Sequence, residues 1–145
     1  MAHADGSMAV LGRFVTAAGI VEILVGAAAW AVVSRRLADE KIVVPGTARW
    51  FPNKTVRDPL TAFEEAEVVR RITLKATGGR TYGEMAGDDP KARMALDASL
   101  IRSSLFTAIL AFGMAATQIA LGSVFVVVGR ALVNAKVVPT GTGPL

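Results

Sequence analysis

The chain has 145 residues, of which 52% are hydrophobic and only 19% charged, and its mean hydropathy of +0.47 excludes an ordinary water-soluble surface because some apolar area must face lipid. Sixteen Lys and Arg against twelve Asp and Glu give a net charge of +4, but the basic residues alternate with acids, which argues against a nucleic-acid surface. Without cysteine the chain can form no disulfide, thiolate nucleophile or iron–sulfur ligation.

Residues 1–13 read as a disordered tail. From residue 14 to 33 the chain runs FVTAAGIVEILVGAAAWAVV, long enough at ~1.5 Å per residue to cross a hydrocarbon core of about 30 Å. Arg13 and the Arg35-Arg36 pair bracket this run, Trp30 sits near one interface, and only Glu22 interrupts it with charge. A cleaved signal peptide is the alternative, but the run is long for such a segment and a carboxylate inside it is unusual.

Residues 34–103 form a polar insert much longer than a turn requires, so a small, mainly helical cap is expected there. Its first part, with prolines at 45, 52 and 59 and a β-prone Ile42-Val43-Val44, reads as extended chain with turns. Asp58-Pro59 then marks a capped helix start and Gly78-Gly79 a stop, which predicts a helix over 59–77. Its spacing places Ala62, Ala66, Val69, Ile72 and Ala76 on one face and Glu64, Glu67, Arg71 and Lys75 on the other, with Glu67 and Arg71 set for an i,i+4 pair.

Asp89-Pro90 marks a second start, after which nothing breaks a helix before Asn134. Within that stretch residues 104–129 form the second predicted span; LFTAILAFGMAATQIALGSVFVVVG is uncharged and is flanked by Arg102 and Arg130. Residues 130–145 read as a C-terminal tail. The expected fold is therefore an all-α membrane protein, an antiparallel hairpin of two transmembrane helices with a cap between them. Counting basic residues near the span ends puts the insert on the cytoplasmic side.

Chemistry-bearing constellations are sparse. The single histidine, His3, lies near the N-terminus, and without a second one no positioned base for a serine nucleophile is visible. Gly78-Gly79, Gly83 and Gly87 match neither a dinucleotide fingerprint nor a P-loop. No cofactor or metal site is expected.

Glu22 has the strongest claim on function, because an ionisable group at span depth is costly and turns toward protein or water. Ala18, Glu22, Gly26 and Ala29 share one face of the first helix, and Ala111, Ala115, Gln118 and Gly122 make a matching face on the second. Counted from Arg13 and Arg130, Glu22 and Gln118 lie about 14 and 18 Å deep in an antiparallel pair, so they are expected to meet, near Gly26 and Ala115. A second candidate is the patch Arg49, Trp50, Phe51, Lys54 and Arg57 just after the first span, which suits anionic headgroups or a small aromatic core.

Four stretches, LADEKIVVP (37–45), DPLTAFEEAEVV (58–69), KATGGRTYGEM (75–85) and ASLIRSSLFTAILAFGMA (98–115), resemble a family of small actinobacterial membrane proteins often named aromatic ring-opening dioxygenase LigA. The resemblance implies a two-span protein of the bacterial plasma membrane with no assigned role. A ring-opening dioxygenase would need two histidines and a carboxylate around iron, and His3 alone cannot supply them. The residues therefore suggest a non-catalytic accessory or assembly subunit that packs against other membrane proteins or copies of itself. The alternatives are an oligomeric transport or proton-handling component built on Glu22, and a subunit of an enzyme complex.

Overall fold

A computed structural model describes residues 2–135, with side chains from residue 6 onward. The described residues are helical apart from turns and one isolated antiparallel bridge between Val43 and Thr55. Helix α1 covers Ala2–Asp39, α2 Pro59–Ala76 and α3 Ala92–Asn134, with a short 3-10 turn at Tyr82–Glu84. Both α1 and α3 are long and apolar enough, by length and composition, to cross a membrane.

The helix ends follow local chemistry. At the start of α2 the Asp58 carboxylate accepts from the amides of Leu60 and Thr61, each at 3.0 Å, and Thr61 Oγ1 accepts in return from the Asp58 amide at 3.3 Å. Pro59 occupies the first helical position, where its missing N–H is no loss. At the other end Gly78 and Gly79 adopt φ of +68° and +88°, and the Gly79 amide reaches back to the Leu74 carbonyl at 2.7 Å. Only glycine adopts this left-handed pair without strain.

Three sequence expectations need correction. Helix α1 begins at Ala2, so residues 2–13 are helical where a disordered tail is expected; Ala, Met and Leu favour helix, and Gly6 alone does not stop propagation from the helix that follows. Likewise α3 continues to Asn134, into the segment expected as a C-terminal tail; residues 136–145 lie outside the described residues.

The third concerns α2, whose buried side chains are Thr61, Ala62, Glu64, Glu65, Ala66 and Val68, while Ile72 is 59% exposed. The buried face is broader than the small-residue stripe and is centred elsewhere. It covers Glu64 because this carboxylate accepts hydrogen bonds from a folded loop, which spacing along one helix does not reveal. Its pairing also differs: Arg71 lies 3.4 Å from Glu64, and Glu67 pairs with Arg70 at 3.7 Å.

The described residues pack as two units, 2–27 with 116–135, and 28–115. In the first, α1 and α3 touch backbone to backbone. A Cβ built on Gly19 would lie 2.5 Å from the Gly122 carbonyl oxygen, and one on Gly12 would lie 2.6 Å from the Gly129 carbonyl oxygen. Residue numbers rise along α1 as they fall along α3. Thr16 and Ser123 turn their hydroxyls back onto the carbonyls of Gly12 and Ile119, both at 2.8 Å, so neither needs a partner outside its own helix.

The second unit has an apolar core of Val44, Val56, Ala62, Ala66 and Leu105, with Leu37, Ile42, Ala48, Phe106 and Ile109 packed against it. It draws together the end of α1, the loop, α2 and the first half of α3. Trp30 packs on the buried Phe112 at 4.7 Å between ring centroids, tilted by 59°, and Phe63 meets Phe106 edge-on at 6.4 Å. Such tilted and edge-on pairs contribute about 0.5–1.5 kcal/mol beyond their buried area.

Candidate functional site

In the first unit, Gln118 Nε2 donates to Glu22 Oε2 at 2.6 Å, and the pair is partly buried. The contact is possible because α3 has no side chain opposite. A Cβ on Gly122 would lie 2.9 Å from the Glu22 Cβ and from Ile23 Cγ1. Glycine at 122 thus leaves the space into which the Glu22 stem fits, and the longer Gln118 reaches across from one turn away. A carboxyl group and an amide can share a hydrogen bond in either protonation state of the acid. The arrangement is suited to holding two helices in register.

Of the residues expected on these faces, Gly26, Ala115 and Gly122 are buried, Ala18 and Ala111 are half-buried, and Ala29 is exposed. The described close approaches run through Gly12 and Gly19 on α1 and Gly129 and Gly122 on α3, rather than through Ala18 and Ala111. The missed signal is a seven-residue spacing: Gly12 and Gly19 on one helix, Gly122 and Gly129 on the other. A period of 3.5 keeps a seam facing a partner helix along its whole length, whereas i,i+4 spacing drifts round the cylinder.

In the second unit, Arg49, Trp50, Phe51, Lys54 and Arg57 are all exposed, and they share one well-braced loop. Val44 donates to the Lys54 carbonyl and Asn53 to the Val44 carbonyl, both at 2.9 Å, and Val56 donates to Ile42 at the same distance. Beneath them Val44 and Val56 are fully buried. Glu64 anchors the loop from α2, accepting from the Arg49 amide at 3.1 Å and the Trp50 amide at 3.4 Å. Phe51 and Asn53 take φ of +53° and +60°, a region uncommon for side-chain-bearing residues and one that a braced turn can impose. The Arg49 guanidinium sits 5.6 Å from the Trp50 ring centroid. The result is a cationic, aromatic knuckle held in one shape, with Trp50 58% exposed at its tip. Sequence reasoning found the patch but not Glu64, the residue that presents it.

Glu65, beside Glu64 on α2, is buried, and one of its carboxylate oxygens has no hydrogen-bond partner among the described residues. Burial, followed by the neighbouring Glu64 charge, pushes its carboxyl above the ordinary range. By contrast the amide of Lys91 and the guanidinium of Arg80 hold Asp89 below its ordinary value, with Arg80 at 2.9 Å. Among the described residues no cluster of three His, Asp or Glu forms a metal site.

No protein-family model, no curated protein and no solved structure matches this chain.

Proposed function

We propose that this chain is an integral membrane protein in which α1 and α3 cross the bilayer as an antiparallel hairpin, with the segment between them forming a polar cap on one side. On this reading it is a non-catalytic accessory or assembly subunit of the bacterial plasma membrane, binding larger membrane proteins or further copies of itself. One observation carries the reading: the long helices are inside out. Phe14, Leu24, Leu110, Met114 and Val127 are 63–72% exposed, whereas Glu22 and Gln118 turn toward each other. A core helix of a soluble protein would bury those apolar side chains, and a surface this apolar needs lipid or a protein partner. Glycine seams and interhelical polar contacts are means by which membrane helices associate.

The small actinobacterial proteins that the sequence resembles fit the same architecture. A transport or proton-handling role for Glu22, in an oligomer, is the rival reading, and membership of an enzyme complex a third. Purification from native membranes in mild detergent, with partners identified by mass spectrometry, tests the proposal. Defined partner subunits or a stoichiometric self-assembly are expected, and a chain recovered alone and monomeric contradicts it. Glu22→Gln separates the rival: it should leave assembly unchanged because glutamine can still bond to Gln118, while loss of a proton-coupled flux with normal assembly would favour proton handling.

A further inference from the structure

The second unit contains a cavity of about 160 Å³ between the C-terminal half of α2, the 3-10 turn and the first turns of α3, room for several waters. Arg70 reaches it from α2 and Arg102 from α3, Ser99 and Tyr82 add hydroxyl groups, and no acidic residue lines it. The hydroxyls of Ser99 and Tyr82 take part in no described hydrogen bond, so both can donate, whereas Thr73 and Thr81, also in the wall, donate to Val69 and Glu84.

Arg102 is the unusual member. Its Nε is buried and has no acceptor among the described residues, it forms no described ion pair, and its guanidinium lies 5.8 Å from the Phe106 ring centroid. A ring face offers weak compensation compared with an anion, and a buried charged donor without an acceptor is destabilising. Neighbouring cations are engaged elsewhere. Arg80 is bound to Asp89, and Lys91 donates to the Ala76 carbonyl at 2.6 Å; those contacts close the loop that forms the cavity's outer wall. Arg70 keeps only a loose exposed contact with Glu67, at 3.7 Å.

We propose that this cavity binds a phosphoryl group, with the terminal guanidinium nitrogens of Arg102 as the principal donors, Arg70 as the second cation, and Ser99 and Tyr82 completing the shell. A planar arginine fork matched to a tetrahedral oxyanion is the usual means of phosphate recognition, and with Arg70 facing Glu67 the uncompensated charge of Arg102 leaves the site one anion short of neutrality. The phosphoryl group can come from a lipid headgroup, since Arg102 stands directly before the apolar run that starts at Leu105, or from a soluble phosphorylated molecule.

The full chain in maltoside micelles, which carry no phosphate, allows a direct test through the Arg102 Nε–H nuclear magnetic resonance signal, assigned by its loss in Arg102→Gln. Inorganic phosphate is titrated in at constant ionic strength in one arm, and short-chain phosphatidylglycerol is added in the other. A saturable shift is expected in at least one arm, with the dissociation constant raised threefold or more by Arg70→Gln and less than twofold by Arg93→Gln. Arg93 is an exposed α3 arginine outside the cavity, so its replacement makes the same change in net charge. A response to phosphate assigns a soluble ligand, and a response to phosphatidylglycerol alone assigns a headgroup; either supports the site. The proposal is overturned if neither probe moves the signal saturably, or if Arg70→Gln weakens binding no more than Arg93→Gln, the mark of unspecific attraction to a basic surface.

Discussion

Alanine at Gly19 probes the α1–α3 seam most directly. Its Cβ would lie 2.5 Å from the Gly122 carbonyl oxygen and 2.8 Å from the Val126 amide nitrogen. Both are backbone atoms, so no rotamer change makes room. The helices must part by roughly 1 Å, which forfeits a quarter to a half of the dispersion energy across each opened contact. Overpacking of this kind costs about 1–3 kcal/mol, and the Gln118–Glu22 bond one turn away, worth ~0.6 kcal/mol in membrane proteins, lengthens with it. Against this stands a helix-propensity gain of about 1 kcal/mol for replacing glycine by alanine. The balance is a loss of roughly 0.5–2.5 kcal/mol by these terms. Gly113→Ala provides the opposite sign, because nothing lies within 4 Å of a Cβ there; only the propensity gain of up to about 1 kcal/mol remains. Both variants are compared with the wild type by reversible unfolding in mixed micelles, followed by far-ultraviolet circular dichroism. Equal stability changes in the two variants would refute the close backbone approach.

Because the native chain has no cysteine, the pair Glu22→Cys and Gln118→Cys should cross-link in membranes, while Val21→Cys with Leu121→Cys, at two exposed positions, should not; the reverse pattern on a non-reducing gel would mean the faces are misassigned. Burial raises the Glu65 carboxyl, so the folded state holds this proton more tightly than the unfolded chain, and stability should fall as pH rises from the ordinary carboxylate range through the raised value. Glu65→Gln should remove that slope and be more stable than the wild type above it, which thermal unfolding at a series of pH values would test. Ala66 is fully buried, so Ala66→Asp buries an unpaired charge at a cost of several kcal/mol; limited proteolysis should then cut the 40–90 segment faster, and unchanged digestion would count against a folded core there. Glu64→Ala removes the acceptor for the Arg49 and Trp50 amides and should increase the mobility of Trp50, read as reduced fluorescence anisotropy in a Trp30→Phe background.

The existence and type of the long elements were legible in the sequence because they depend on near-neighbour chemistry. A long apolar run favours helix because the backbone groups then pair within the segment, and Asp58-Pro59 and Gly78-Gly79 carry their own start and stop geometry, so α2 lies close to the expected 59–77. The same local rules made Glu22 and Gln118 stand out as polar residues in apolar runs. Tertiary structure decided which faces meet. The seam runs through Gly12, Gly19, Gly122 and Gly129 because backbone contact needs an absent Cβ on both helices at the same height, a condition one helix cannot express alone. Glu64 is buried because a loop more than ten residues earlier in the chain brings two amides onto its carboxylate. The cavity at Arg102 likewise exists only where α2, the 3-10 turn and α3 converge, and charge counted along the sequence does not distinguish an arginine paired to a carboxylate from one still short of an anion.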